Sequence, residues 1–142
     1  MTMLHVMFNV DCNPVGKQRP RFRRVGNFVR TYSPQATLDF EGLIRNAAER
    51  AMGGMEPLET PVALYCYVRL APAQSYSKKR LRACLEGSER PKKPDLDNVV
   101  KAVQDALNGV IYKDDVQIVS LHATKKYDKV PGVEILVKEE LP

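Results

Sequence analysis

The chain predicts an α+β fold, a small mixed β-sheet packed by two main helices. Three observations lead there. Period-two hydrophobicity marks Leu4–Val10, Val62–Leu70 and Val116–Lys125. Helical spacing of apolar residues marks Leu38–Ala51 and Val99–Val110. The two kinds of segment are interleaved along 142 residues, a length that suits one domain (1–142) with a core that needs no disulfide or metal staple.

Composition narrows the class. Hydrophobic residues make up 44% and charged residues 27%, ordinary for a globular protein. No apolar run reaches the roughly 18–20 residues of a membrane span, and the N-terminus lacks a signal-peptide pattern, so a cytoplasmic protein without a membrane partner is expected. Cys12, Cys66 and Cys84 are widely spaced and read as reduced, partly buried thiols; with only His5 and His122 beside them, a zinc site is not expected.

The first strand alternates Leu4, Val6, Phe8 and Val10 with more polar residues and stops at Asn13-Pro14. A basic loop follows, leading to a short ribbon that turns at Gly26-Asn27. Ser33-Pro34 reads as a helix start, with Ser at the N-cap and Pro in the first turn. Leu38, Leu43, Ile44, Ala47 and Ala51 give this helix its apolar face, and Gly53-Gly54 ends it. Val62–Leu70 is the clearest strand, with Tyr65 and Tyr67 on one face, expected to pack against a helix. From Ala71 to Lys93 the chain turns polar and basic; Ser77 could cap a short helix with Leu81, Cys84 and Leu85 inward. The second main helix carries Val99, Val103, Ala106, Leu107 and Val110, with Asn108-Gly109 as its stop.

The net charge is +5 but unevenly placed. Lys17, Arg19, Arg21, Arg23, Arg24 and Arg30 follow one another without an acid, and eight basic residues between Arg69 and Lys93 face only Glu86 and Glu89. Clustered cations of this kind suit a nucleic-acid partner, whose phosphates they neutralise.

Against this basic background stand two tight acidic pairs, Asp95/Asp97 and Asp114/Asp115. Like charges held close raise one another's pKa and call for a compensating cation. In an extended segment Asp95 and Asp97 point the same way, and Lys101 lies one helical turn after Asp97. If the strand after Asp115 returns beside the helix, Asp114 or Asp115 meets the first pair. Three converging carboxylates are oxygen ligands suited to Mg²⁺, which would polarise a phosphate and acidify a bound water; Lys101 could stabilise the added charge. Paired carboxylates also suit a glycosidase, and Asp residues also cap helices, but the basic segments favour a phosphate substrate.

The run Lys93-Pro94-Asp95-Leu96-Asp97-Asn98-Val99-Val100-Lys101, then Asp105-Ala106-Leu107, then Asp114-Asp115-Val116-Gln117, with Lys125 ten residues after Asp115, resembles the RusA family of Holliday-junction resolvases. Gly16-Lys17-Gln18-Arg19-Pro20-Arg21-Phe22 and Tyr32-Ser33-Pro34 look like that family's phage-type N-terminal region. The resemblance covers most of the chain and is strongest from Lys92 to Tyr127. It implies a homodimeric Mg²⁺-dependent endonuclease, which makes paired nicks in opposing strands of branched, four-way DNA. Its essential acids map onto Asp95, Asp97 and Asp115, with Asp114 as a neighbouring ligand, and its catalytic lysine onto Lys101. Lys17, Arg19, Arg21, Arg23 and Arg24 are the expected phosphate contacts, with Lys125 close to the site. Rival readings are a non-catalytic nucleic-acid-binding module, in which the acids brace the fold, and a metal-dependent hydrolase of small phosphorylated molecules.

Overall fold

A computed structural model describes residues 3–18, 21–32 and 34–142, with the backbone alone for Arg21, Thr31 and Tyr32. Its architecture is α+β. In chain order come strands β1 (His5–Asp11), β2 (Arg21–Val25) and β3 (Phe28–Tyr32), helix α1 (Gln35–Met52), strand β4 (Val62–Leu70), helices α2 (Lys78–Glu86) and α3 (Leu96–Leu107), and strands β5 (Ile118–Tyr127) and β6 (Gly132–Glu139).

The main sheet runs β1-β6-β4-β5, and β2-β3 form a separate ribbon. β4 and β5 are parallel, whereas β6 is antiparallel to both β1 and β4. A parallel pair needs a long crossover, and here the crossover contains α2 and α3. β6, not anticipated above, lies between β1 and β4, and buries Val133, Ile135 and Val137 at the period of a strand. The ribbon turns at Gly26-Asn27 as expected, since Val25 pairs with Phe28.

One face of the sheet carries the core. Val62, Leu64, Cys66 and Val68 of β4 join Val6 and Val10 of β1 and the inward residues of β6 against α1 and α3. α3 buries Val99, Val100, Ala102, Val103, Ala106 and Leu107. At roughly 1.5–3 kcal/mol for each fully buried Val or Leu, packing rather than propensity fixes this helix. That matters because its first turn carries the acidic motif.

Three expectations change. α1 ends at Gly53 in the left-handed conformation (φ 58°) as predicted, but it starts at Gln35 with Pro34 as its cap, and Ser33 lies outside the described residues. Its buried stripe is Thr37, Phe40, Ile44, Ala47, Ala48 and Met52, whereas Leu38 and Leu43 are 46% and 48% exposed. The helix is rotated from the predicted face so that Phe40 and Met52 enter the core. Tyr65 and Tyr67 meet no helix either. They stand on the other side of the sheet, each with its ring centroid 6.0 Å from that of His122.

Among the described residues no helix is long and apolar enough to cross a membrane. α2, capped by Ser77 Oγ accepting from Arg80 N at 3.2 Å, buries Cys84 as predicted but leaves Leu81 exposed.

Gly132 sits where β6 passes β1. A Cβ there would collide with the Val10 carbonyl oxygen and the Arg69 guanidinium. Gly132→Ala is therefore expected to destabilise by about 1–3 kcal/mol through overpacking. Gly42, on α1 with open space around it, should stabilise by about 0.5–1 kcal/mol when changed to Ala. Denaturant midpoints of the two variants check both signs.

Candidate active site

α3 begins at Leu96, so Asp95 is its N-cap residue in extended conformation, yet the Asp95 side chain caps nothing. Its carboxylate instead meets Lys93 Nζ at 3.3 Å, with both side chains exposed. Asp97 lies in the first turn, where the helix dipole favours an anion, and its Oδ1 accepts from Asn98 N at 3.0 Å. The shared direction expected of Asp95 and Asp97 does not hold, because the helical period has already begun between them. Lys101 follows Asp97 by four residues, the spacing that puts two side chains on one helical face.

The second acidic pair forms a single 3-10 turn. Asp114 Oδ1 accepts from Val116 N at 3.0 Å, and Gln117 Oε1 accepts from Lys113 N and Asp114 N at 2.9 and 3.0 Å. Gln117 Nε2 donates to the carbonyls of Leu58 and Thr60 at 2.8 and 2.9 Å. The turn is thus tied to the segment before β4. Asp114 is spent on structure; Asp115 is not.

Asp97, Lys101, Gln104, Asp105 and Asp115 line one cavity of about 760 Å³, floored by Leu121 and Ala123 of β5. This brings three of the expected residues, Asp97, Asp115 and Lys101, to one place. Asp95 stays at the helix start with Lys93, and among the described residues no three His, Cys, Asp or Glu side chains are close enough together to hold a metal ion.

The donor chemistry nevertheless fits a hard divalent cation. Three carboxylates face a single lysine in the cavity. Asn108 Oδ1, beside Asp115, is buried with no hydrogen-bond partner among the described residues. The Lys93–Asp95 pair is solvent-exposed and worth no more than about 1 kcal/mol, so it does not commit the Asp95 carboxylate.

The expected cations divide into two kinds. Arg23 and Arg24 are exposed on β2; Arg21 is on the same strand, and Arg19 lies outside the described residues. Lys17 and Lys125 are turned toward the protein. Lys17 Nζ lies 2.7 Å from Glu41 Oε1 and 3.0 Å from Asp105 Oδ2, and its amide donates to the Asn98 carbonyl at 2.8 Å. Gly16 beside it packs so tightly that a Cβ would lie 3.1 Å from Asn98 Cβ. Lys125 Nζ donates to the carbonyls of Lys92 and Pro94 at 2.9 and 3.1 Å, pinning the segment that delivers Asp95.

Asp105, Gln104, Asn108 and Gln117 are additions to the expected set. Two of them had a local signal: Asp105 falls one helical turn after Lys101, and Gln117 has the three-residue spacing of a capping box after Asp114.

Partial burial pushes the Asp115 carboxyl above its ordinary 3.8; Asp114 and Asp105 add to the shift, and the Asn108 amide opposes it. From that ordinary value up to the raised one, the folded protein holds this proton more tightly than the unfolded chain does. Asp115 therefore favours folding at low pH and loses that contribution as pH rises through its folded pKa. Asp115→Asn should be more stable than the parent near neutral pH, by a margin that shrinks toward about pH 4. Urea unfolding across that range measures the margin; a constant difference would refute the shift.

Comparison with known proteins agrees with the motif. Residues 11–138 match the family model described as Endodeoxyribonuclease RusA. The chain is 34% identical over 140 residues to the uncharacterized protein YqaN of Bacillus subtilis (strain 168), covering 94% of this chain and 96% of that one. It is 26% identical over 136 residues to a crossover junction endodeoxyribonuclease of Lactococcus phage r1t, covering 93% and 95%. Matched over nearly its whole length, the chain belongs to the RusA endodeoxyribonuclease family.

Proposed function

We propose that the protein is a Mg²⁺-dependent, structure-selective endodeoxyribonuclease that resolves four-way DNA junctions by paired nicks in opposing strands, as a homodimer. The observation that carries this reading is the cavity in which Asp97, Asp115 and Lys101 meet. The Asp95 side chain does not cap α3 and Asp97 bonds only the amide of the next residue, so a purely structural role uses little of this pair. The relative from Lactococcus phage r1t, named for cleavage of crossover junctions, supports the same substrate.

Asp95, Asp97 and Asp115 would hold the cation, with Asp114 fixing the turn that presents Asp115. When bound, the cation would neutralise the scissile phosphate and lower the pKa of a water. Lys101 would face the same phosphate and stabilise charge developing at phosphorus or on the leaving oxygen. Arg23 and Arg24, with Arg19 and Arg21, would take phosphates of the arms through the ribbon. Lys17 and Lys125 would act one step back, holding Asp105 and the approach to Asp95. A two-fold dimer would present two such cavities to a junction with two equivalent strands.

Labelled four-way junction and matched linear duplex, each with Mg²⁺ and with EDTA, test the proposal. Symmetric nicks are expected in the junction only, and only with metal. Asp97→Asn should bind the junction but lose at least about 10²-fold in cleavage, the scale of removing one preorganised charge from a reaction site. Lys125→Met should bind equally well and lose about 10²-fold, as a small displacement of the site does. Equal cutting of duplex would sink the junction specificity, cutting in EDTA would sink the metal, and full activity of Asp97→Asn would leave a binding module as the better reading.

A further inference from the structure

The crossover between β4 and α3 contains a helix that the core does not explain. α2 has nine residues and buries only Cys84, too short to persist alone and too little packed to be held by burial. Polar contacts hold it instead. Arg80 Nε lies 3.1 Å from both carboxylate oxygens of Glu89, and its guanidinium stacks 3.7 Å over the Tyr76 ring. Cys84 Sγ donates to Glu89 Oε2 at 3.5 Å, and Ser88 Oγ donates to the Ala83 carbonyl at 3.1 Å. Glu89, the acid best placed to neutralise this segment, is consumed by these links.

What the helix and its exit enclose is cationic. Two adjoining cavities of about 470 and 480 Å³ share Arg90 and Tyr127. Together they are lined by six basic residues and three acidic ones; with Arg80 paired to Glu89 and Lys93 to Asp95, Arg90, Lys92, Lys126 and Lys129 face Glu86 and Asp128. Arg90, Lys92 and Lys129 are exposed, and none is in an ion pair among the described residues.

Its position relative to the acidic cavity follows from β5. Leu121, Ala123, Lys125 and Tyr127 share the helix-covered face of that strand by its period of two. Leu121 and Ala123 floor the acidic cavity, Lys125 clamps the carbonyls of Lys92 and Pro94, and Tyr127 lines the cationic groove. From Ala123 to Tyr127 is about 13 Å at roughly 3.3 Å per residue. That equals the rise of about four nucleotides at roughly 3.4 Å each along one DNA strand.

We infer that this groove is a second phosphate-binding subsite, in which Arg90, Lys92 and Lys129 take the sugar–phosphate backbone of a DNA arm about four nucleotides beyond the acidic cavity. The inference rests on the nuclease reading for its ligand, yet it concerns binding alone. Tyr76 is already stacked under the Arg80 guanidinium.

Arg90→Ala/Lys92→Ala tests it, beside a control that removes equal charge elsewhere, Arg50→Ala/Lys138→Ala. Binding to linear duplex and to four-way junction is measured without divalent metal as salt is varied. On duplex the groove variant should flatten the dependence of log affinity on log salt by about 1.8, two phosphate contacts at roughly 0.9 each, whereas the control keeps the parent slope. Unchanged far-ultraviolet circular dichroism and melting of the groove variant confirm that α2 stays folded. Equal slopes for groove variant, control and parent would overturn the subsite, as would a parent that binds no DNA. A parent that binds DNA through the groove but never cuts it would overturn the nuclease reading and leave the subsite standing.

Discussion

Carboxylates gathered toward one cleft repel one another, and the fold must hold them there against that repulsion. Two lysines do most of this work from outside the cleft. Lys17 bridges Glu41 of α1 to Asp105 of α3 and so offsets part of the charge of one of the three cavity acids. Lys125 satisfies the carbonyls of Lys92 and Pro94 and so fixes the last residues before Asp95. Neither pairs directly with Asp97 or Asp115, whose charges stay available. Asp115 bears the remaining cost, its carboxyl pushed up by burial and by its two acidic neighbours. The Tyr112 phenol beneath the turn is pushed up in the same field, by burial first and then by Asp115, Asp105 and Asp114.

This arrangement explains which parts of the site the sequence could reveal. Asp97 and Lys101 are four residues apart on one helix, and Asp114, Asp115 and Gln117 share one turn, so their geometry is local and pattern carries it. Lys17–Asp105 and Lys125–Lys92 join residues far apart in the chain, and no spacing rule encodes such partners. Their basic character, read with Arg23 and Arg24 as one class, conceals that two of these cations are turned inward while Arg23 and Arg24 face water. Asp95 illustrates the opposite error. Its pairing with Asp97 on one face required an extended chain through Asp97, and the helix begins one residue after Asp95.

The fold divides along the same line. Helix stops at Gly53 and Asn108, the turn at Gly26-Asn27 and the Ser77 cap are each specified by a few adjacent residues. The buried face of α1 and the side of the sheet on which Tyr65 and Tyr67 stand are set by what packs opposite, and a helix with apolar residues on several sides leaves the choice to its partners. β6 carries its own signal in Val133, Ile135 and Val137, but its place between β1 and β4 is a matter of topology that alternation alone does not give.

β5 links the acidic cavity to the cationic groove. It is an edge strand, and an unpaired edge is a hazard that proteins usually blunt with charge or cover with another element. Here the edge strand carries the exposed Lys126, and its inward face floors the acidic cavity before reaching the cationic groove. A strand in the middle of the sheet could supply the floor but would be walled off from a bulky polymer. Placing the site at the edge leaves room for a duplex to approach along β5, so on the proposed nuclease reading the open edge serves the substrate.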